Sequence, residues 1–399
     1  MAACGIYRKN ATQPARFAGG GIKWNFLRSY SSHDSSLQSC GATLAHKGEC
    51  QTRGFMSTET NGNGYGLEKP IAIYYEHPDW FRPLFQQLDE RGVPWLKIDA
   101  RHHRYDVASP ERDYSLLFNR MSPSAWQRGL GHGIFYTLNY LAHLEGKGVR
   151  VVNGYRCFNH EISKALQLTN LEKLGLPYPQ ARVINHPSQA LEAAEAVGYP
   201  VVIKPNIGGS GAGIERFNTP EELGAAVEGN RLYFGIDSTA LVQEAFTARG
   251  GIITRVEVLG GKFLYAIQIH ITGESYNLCP ADICQNTRGE ELTRIACPVD
   301  APKSGMKVEG YEPPRRVIED VERIVELAGV EVGGIEYVVD DRTGRQLYYD
   351  VNALSNFVAD PVRVVGFNPY ARLADFLITE AQRHESNRNE HVAASGGPR

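Results

Sequence analysis

From Lys69 onward, short apolar runs alternate with segments of helical period. Residues 71–75 (IAIYY) and 93–99 (VPWLKID) read as strands, separated by a helical stretch over 80–91 that Gly92 ends. Residues 114–118 predict a third strand, running into Asn119, Arg120, Met121 and Ser122. Phe135, Tyr136 and Tyr140 lie along one face of the next helix, and residues 149–152 close the unit. Strands and helices alternating at these lengths predict a small open parallel sheet.

The pattern then changes. Asn159 reads as an N-cap, with Ile162, Leu166 and Leu174 on one side of a helix that Gly175 ends. A helix over 188–198 and one opening at Thr219-Pro220-Glu221-Glu222, a capping-box pattern, follow, with a strand over 201–203 between them. Residues 252–259 and 262–269 flank Gly260-Gly261 as a tight hairpin. Val317, Val321, Ile324 and Ala328 give residues 313–329 a helical period, and a second hairpin spans 334–352. The expected boundaries are 1–66 (a disordered or over-extended start), 67–155, 156–240, 241–385, and a disordered tail over 386–399.

Composition excludes more than it identifies. The 399 residues are 42% hydrophobic and 22% charged with a formal net charge of -3, so no basic surplus points to nucleic acid. No apolar run reaches membrane-spanning length. Seven scattered cysteines suit a reducing compartment, hence a cytoplasmic assignment, rather than a disulfide framework. Up to Phe55 there are seven Lys and Arg against two acids, with no amphipathic period. Such a stretch buries too little apolar surface to offset its ordering entropy; it reads as an over-extended start before Met56 or as a transit-type leader.

Three constellations carry chemistry. In VVIKPNIGGSGAGIERF, Lys204 precedes a loop of Gly208, Gly209, Ser210, Gly211 and Gly213. Glycines let backbone N–H groups approach phosphate oxygens, and a lysine supplies countercharge. In ALVQEAF, a strand ends at Gln243, Glu244, Ala245 and Phe246, where backbone groups can read a base edge between apolar neighbours. In the second hairpin, a turn centred on Thr343 puts Glu336 opposite Asp350, with Asn352 on the same face as Asp350. Opposed carboxylates repel, so a cation belongs between them, and oxygen ligands of this kind suit Mg²⁺. On that reading Asp350→Asn relieves repulsion and stabilises the metal-free protein.

In this order and spacing the three resemble the ATP-grasp superfamily, with the RimK-like carboxylate–amine ligases the nearest branch. The resemblance implies an α/β (α+β ATP-grasp) fold, a small N-terminal open α/β sheet domain followed by two α+β subdomains that clasp ATP. It implies ATP contacts from Lys164, Lys204, the glycine loop and residues 243–246, and catalytic roles for Arg255 and Lys204. It also implies a metal site of Glu336, Asp350 and Asn352 holding Mg²⁺, with Mn²⁺ as a substitute. Relatives usually carry Glu where Asp350 stands, often an acid where Ile253 stands, and often a basic residue near Gln268. Arg120, beyond a strand end of the first domain, is a candidate for a substrate carboxylate, and Asn277 and Arg288 lie where relatives bind the second substrate. Cys279 and Cys284, in Cys-x4-Cys without a second ligand pair, read as ordinary thiols.

The function so implied is an ATP-dependent ligase joining a small-molecule carboxylate to an amine through an acyl phosphate, with a homodimer as the assembly to test. A kinase and a non-catalytic ATP-binding regulator are the alternatives. The complete set of lysines, arginine and metal ligands speaks against the last.

Overall fold

The computed structural model describes residues 65–77, 79–109, 113–209, 211–271 and 307–395, with side chains to 387. The first domain holds β1 (Ile71–Tyr75), α1 (Arg82–Glu90), β2 (Trp95–Asp99), β3 (Leu116–Arg120), α2 (Gly131–Gly146) and β4 (Arg150–Val152). Its strands are parallel in the order β2-β1-β3-β4. β1 and β3 are buried throughout, as strands covered on both faces must be. The third strand starts two residues later than its apolar run suggested and carries on through Asn119 and Arg120. Those polar residues are tolerated there because both find buried partners: Asn119 Nδ2 donates to the Asn153 carbonyl (3.1 Å) and Arg120 reaches three oxygens of residues 353–356.

Next come α3 (Tyr155–Glu161), α4 (Lys164–Lys173), β5 (Ala181–Ile184), α5 (Ala190–Val197), β6 (Val201–Pro205), β7 (Glu215–Phe217), α6 (Pro220–Glu228) and β8 (Ala240–Glu244). The single helix expected from Asn159 is two. The chain leaves helical conformation at Ile162, and Ser163 caps α4 by accepting a hydrogen bond from the Leu166 N–H (3.2 Å). Thr219 caps α6 as expected. β5, β8, β6 and β7 form an antiparallel sheet whose apolar core lies within residues 184–242.

The last lobe is a five-stranded antiparallel sheet of β9 (Ile252–Leu259), β10 (Lys262–His270), β11 (Val308–Tyr311), β12 (Val332–Val339) and β13 (Gln346–Asn352) in the order β11-β10-β9-β12-β13. Amphipathic α7 (Arg315–Ala328) buries Val317, Val321, Ile324 and Ala328 in a core shared with Leu168 and Leu171 of α4. The buried Val, Ile and Leu side chains contribute ~1.5–3 kcal/mol each.

After α8 (Pro361–Val365), α9 runs from Pro369 to Ser395, past the end of order expected at Ser386. Nothing between these residues breaks a helix, and Gly396-Gly397-Pro398 follows only afterwards. Leu373, Leu377 and Ile378 of α9 share a core with Leu84, Phe85 and Leu88 of α1. No helix among the described residues is long and apolar enough to cross a membrane.

Candidate active site

Lys204 sits in β6, buried on both sides, and Lys164 is the first residue of α4. Asn206 joins the two elements. Its backbone carbonyl accepts from the Lys164 N–H (3.3 Å), and its Oδ1 accepts from the Ala165 N–H (2.9 Å) and Ser163 Oγ (3.3 Å). Gly208 begins the glycine loop beneath the Lys164 side chain; a Cβ there would lie 3.1 Å from Lys164 Cε. Gly209 has φ +156, and its Cβ would stand 2.5 Å from Ser124 Cβ, so no other residue fits there. Gly211 and Gly213 also have positive φ, and Ser210 lies outside the described residues.

The hairpin register is as expected at the site, with Glu336 paired to Asp350 and Gly334 to Asn352. Beyond it the register shifts by one residue, leaving Tyr349 as a bulge. A regular strand would turn Tyr349 away from its neighbour's face; the bulge re-aims it, and its hydroxyl donates to Glu336 Oε2 (2.7 Å). Arg255 lies opposite Glu336 on β9 and donates from Nη1 to Glu336 Oε1 (2.9 Å) and from Nε to Glu257 Oε1 (2.6 Å). A Cβ on Gly334 would come within 2.5 Å of Arg255 Nε, so this glycine makes room for the guanidinium.

The facing carboxylates are therefore separately neutralised. Arg255 holds Glu336, and Lys164 Nζ reaches Asp350 Oδ1 at 2.8 Å. Burial pushes Asp350 up, but Lys164 and then Lys204 outweigh it and hold the carboxyl below its usual range. Burial pushes Glu336 up, and the charge of Arg255 only partly offsets this. Burial, helped by the neighbouring charge of Lys164, pushes Lys204 down to about 7, against the pull of Asp350. Among the described residues no three His, Cys, Asp or Glu side chains group to hold a metal. Glu336, Asp350 and the Asn352 amide nonetheless make an all-oxygen set on register-paired strands, which fits Mg²⁺ sharing its shell with phosphate.

β13 is an edge strand, and its outer edge is met by side chains of the central region. Gln167 of α4 accepts from the Val351 N–H (3.2 Å) and donates to the Val351 carbonyl (3.1 Å), standing in for a missing strand between Asp350 and Asn352. Glu161 accepts from the Ala353 N–H, and burial pushes its carboxyl up to about 7. These two, with Glu257, are site residues that sequence reasoning missed. Glu257 follows Arg255 by two on the same strand, a spacing visible in the sequence, whereas nothing local marks Gln167 or Glu161.

At the other end of the cleft, β8 delivers Gln243, with Oε1 buried and without a partner, and Glu244, which accepts from the Gln180 N–H (3.1 Å) and Arg345 (3.3 Å). The Ala245 N–H is bound to the Pro200 carbonyl (3.0 Å). Phe246 meets the ring of Tyr349 at 5.4 Å, so this strand end adjoins the carboxylates through Tyr349. Arg120 is placed otherwise than the cleft position expected. It is buried between Phe81 and Phe118, its Nη atoms bound to the carbonyls of Ala353 and Ser355 and to Asn356 Oδ1. Its guanidinium braces the chain after β13. Asn277 and Arg288, like Cys279 and Cys284, lie outside the described residues.

Residues 171–302 match the family model described as D-ala D-ala ligase C-terminus. The described fold superposes on a RimK domain ATP-grasp protein from Sphaerobacter thermophilus with a TM-score of 0.53, at 18% identity over 77% of this chain and 99% of that one. The chain has the ATP-grasp fold. Among curated relatives, the carbamoyl phosphate synthase large chain of Thermotoga sp. (strain RQ2) is 29% identical over 221 residues, 52% of this chain and 17% of that protein. The D-alanine--D-alanine ligase of Mannheimia succiniciproducens is 34% identical over 206 residues, 50% of this chain and 62% of that protein. The chain thus spans less than two thirds of the length of either relative.

Proposed function

We propose that this ATP-grasp protein is an ATP- and Mg²⁺-dependent carboxylate–amine ligase working through an acyl phosphate. The observation that carries the reading is the convergence of three basic side chains, Lys164, Lys204 and Arg255, with two register-paired carboxylates beside a glycine loop. A resting protein gains little from so many buried charges, whereas phosphoryl transfer needs them.

In this reading Lys164 and Lys204 hold ATP phosphates, and residues 243–246 hold the adenine. Glu336, Asp350 and Asn352 would hold Mg²⁺, which when bound neutralises phosphate charge. A substrate carboxylate oxygen attacks the γ-phosphorus and ADP leaves. Arg255, released from part of its pairing with Glu336, stabilises charge on the transferring group. The amine then attacks the acyl carbon, inorganic phosphate leaves, and the nitrogen gives up a proton. The glycine loop excludes water that would otherwise hydrolyse the intermediate.

Hydroxylamine supplied in place of the amine tests this. With Mg-ATP and a panel of small carboxylic acids, the protein should release ADP and a hydroxamate for the true acid. ADP release with a stable phosphorylated product and no hydroxamate would replace the ligase by a kinase.

A further inference from the structure

Arg255 divides its guanidinium between two carboxylates on neighbouring strands. Nη1 donates to Glu336 Oε1 (2.9 Å) and Nε to Glu257 Oε1 (2.6 Å), and all three side chains are buried. The strand register explains the reach. Glu336 and Gly334 of β12 stand opposite Arg255 and Glu257 of β9, so the four positions make a small square on the face that carries Asp350. Three corners bear charged side chains and Gly334 bears none. The guanidinium lies over it, with Nε 2.5 Å from where a Cβ would stand.

The two carboxylates are not equivalent. Glu336 has both oxygens engaged, by Arg255 and by the Tyr349 hydroxyl, and it belongs to the oxygen set that fits Mg²⁺. Glu257 stands outside that set. Its Oε1 accepts from both Arg255 Nε and Ser355 Oγ (2.7 Å), whereas Oε2 is buried and has no hydrogen-bond partner among the described residues. Ser355 is itself fixed: its carbonyl accepts from Arg120 and its hydroxyl from the Phe357 N–H (3.2 Å). A buried carboxylate oxygen without a donor is costly, so a state that fills it is favoured over one that does not.

We infer that Glu257 is a positioning residue that keeps Arg255 in the site when Glu336 turns to the metal. The inference rests on the ligase reading and adds to it how the arginine is freed without being lost. As Nη1 leaves Glu336, a second nitrogen of the guanidinium closes onto Glu257 Oε2, the two-bond geometry that arginine forms with carboxylates. The unpartnered oxygen is then satisfied, the buried guanidinium keeps a counter-ion, and Nη1 is left for the phosphoryl oxygens. Without an acid at 257, Glu336 would be the only carboxylate on the arginine, and the metal would have to displace a cation that has no other carboxylate to take.

Paired calorimetric titrations of the full chain test the inference, one with AMPPNP in EDTA and one with Mg-AMPPNP. The ratio of the two affinities measures what the metal adds. Glu257→Gln should lower that ratio about tenfold or more, the loss expected of a charge-assisted partner, and leave metal-free binding unchanged. Retained metal-free binding also shows that the variant folds; if it is lost, Glu257→Asp, with the charge drawn back by one methylene, gives the same comparison at smaller amplitude. In an Arg255→Met background the Glu257→Gln change should leave the ratio unaltered, because no arginine then competes for Glu336. Arg255→Gln serves as the background if Arg255→Met does not bind metal-free AMPPNP. A wild-type ratio in the Glu257 variant, or a ratio lowered equally with and without Arg255, overturns the inference and leaves the ligase reading standing. If the unaltered chain binds AMPPNP no better with Mg²⁺ than without it, the ligase reading falls and the inference with it.

Discussion

Lys164 and Asp350, 186 residues apart in the chain, meet in an ion pair of 2.8 Å. The lysine opens α4 and the aspartate lies two residues before the end of β13, so a cation proposed for phosphate is held in waiting by a carboxylate proposed for metal. Without nucleotide, each satisfies the other.

This pairing reverses the effect expected of Asp350→Asn. Repulsion from Glu336 suggested that losing the charge stabilises the metal-free protein. Lys164 would instead lose its counter-ion in a mostly buried place. We expect a loss of roughly 1–3 kcal/mol, between the limits for exposed and fully buried pairs, seen as a lower denaturation midpoint at neutral pH. Turnover at saturating Mg-ATP should be abolished, and a variant with wild-type turnover would misplace the metal site.

Lys204 supplies a pH signature. Between about pH 7 and 10.5 the unfolded chain carries a proton here that the folded chain lacks, so this group's contribution makes stability fall as pH drops through that window and level off below it. A bound phosphate favours the charged lysine, so ATP binding at pH 8 should take up a proton. Calorimetry in buffers of different ionisation enthalpy measures that uptake. Lys204→Met should abolish it and weaken ATP by ~1.5–3 kcal/mol; unchanged uptake and affinity would remove Lys204 from the phosphate site.

Gln167 contacts no reacting group, yet it brackets the peptide of Val351 between Asp350 and Asn352. Gln167→Leu leaves the Val351 N–H and carbonyl buried and unpaired, at a cost of ~1–3 kcal/mol for each. Beyond the lower melting temperature, the Mg²⁺ concentration for half-maximal turnover should rise. If only stability changes, Gln167 braces the fold and does not position the ligands.

Gly334→Ala drives a methyl into Arg255. Turnover should fall sharply with ATP affinity nearly intact, because Arg255 acts on the transferring group. Gly224→Ala, in α6 with nothing within 4 Å, is the matched control and should stabilise by ~0.4–1 kcal/mol. Equal turnover of the two variants would separate Arg255 from the chemistry.

Much of this architecture is written in local pattern. Alternation of apolar runs and helical periods marks β1, β6, the β9–β10 hairpin and α7, because each buries a face whose spacing follows from backbone geometry. Thr219-Pro220 marks the start of α6 for the same local reason. The pairing of Glu336 with Asp350 matches a turn centred on Thr343, but the loop itself pairs Val339 with Gln346, a register that would set Glu336 opposite Tyr349, and it is the bulge that brings Asp350 into place. That bulge, at Tyr349, was not legible, because an extra residue in a strand leaves no compositional trace. Residues 369–395 carried no legible helix, since what α9 buries against α1 lies some 290 residues earlier in the chain, on the order of the separation of Arg91 and Asp375 (284).

By itself, then, the sequence determined which residues bring charge and which loop is built of glycine, because a strand's period and a glycine's freedom are properties of a few neighbouring residues. Only the tertiary structure decided how the charges pair. Arg120 goes to brace residues 353–356 while Arg128 faces Glu76, and Lys164 takes Asp350 while Arg255 takes Glu336. A buried charge settles on whichever partner the packing of distant elements brings within reach, since leaving it unpaired costs more than any local preference can offset.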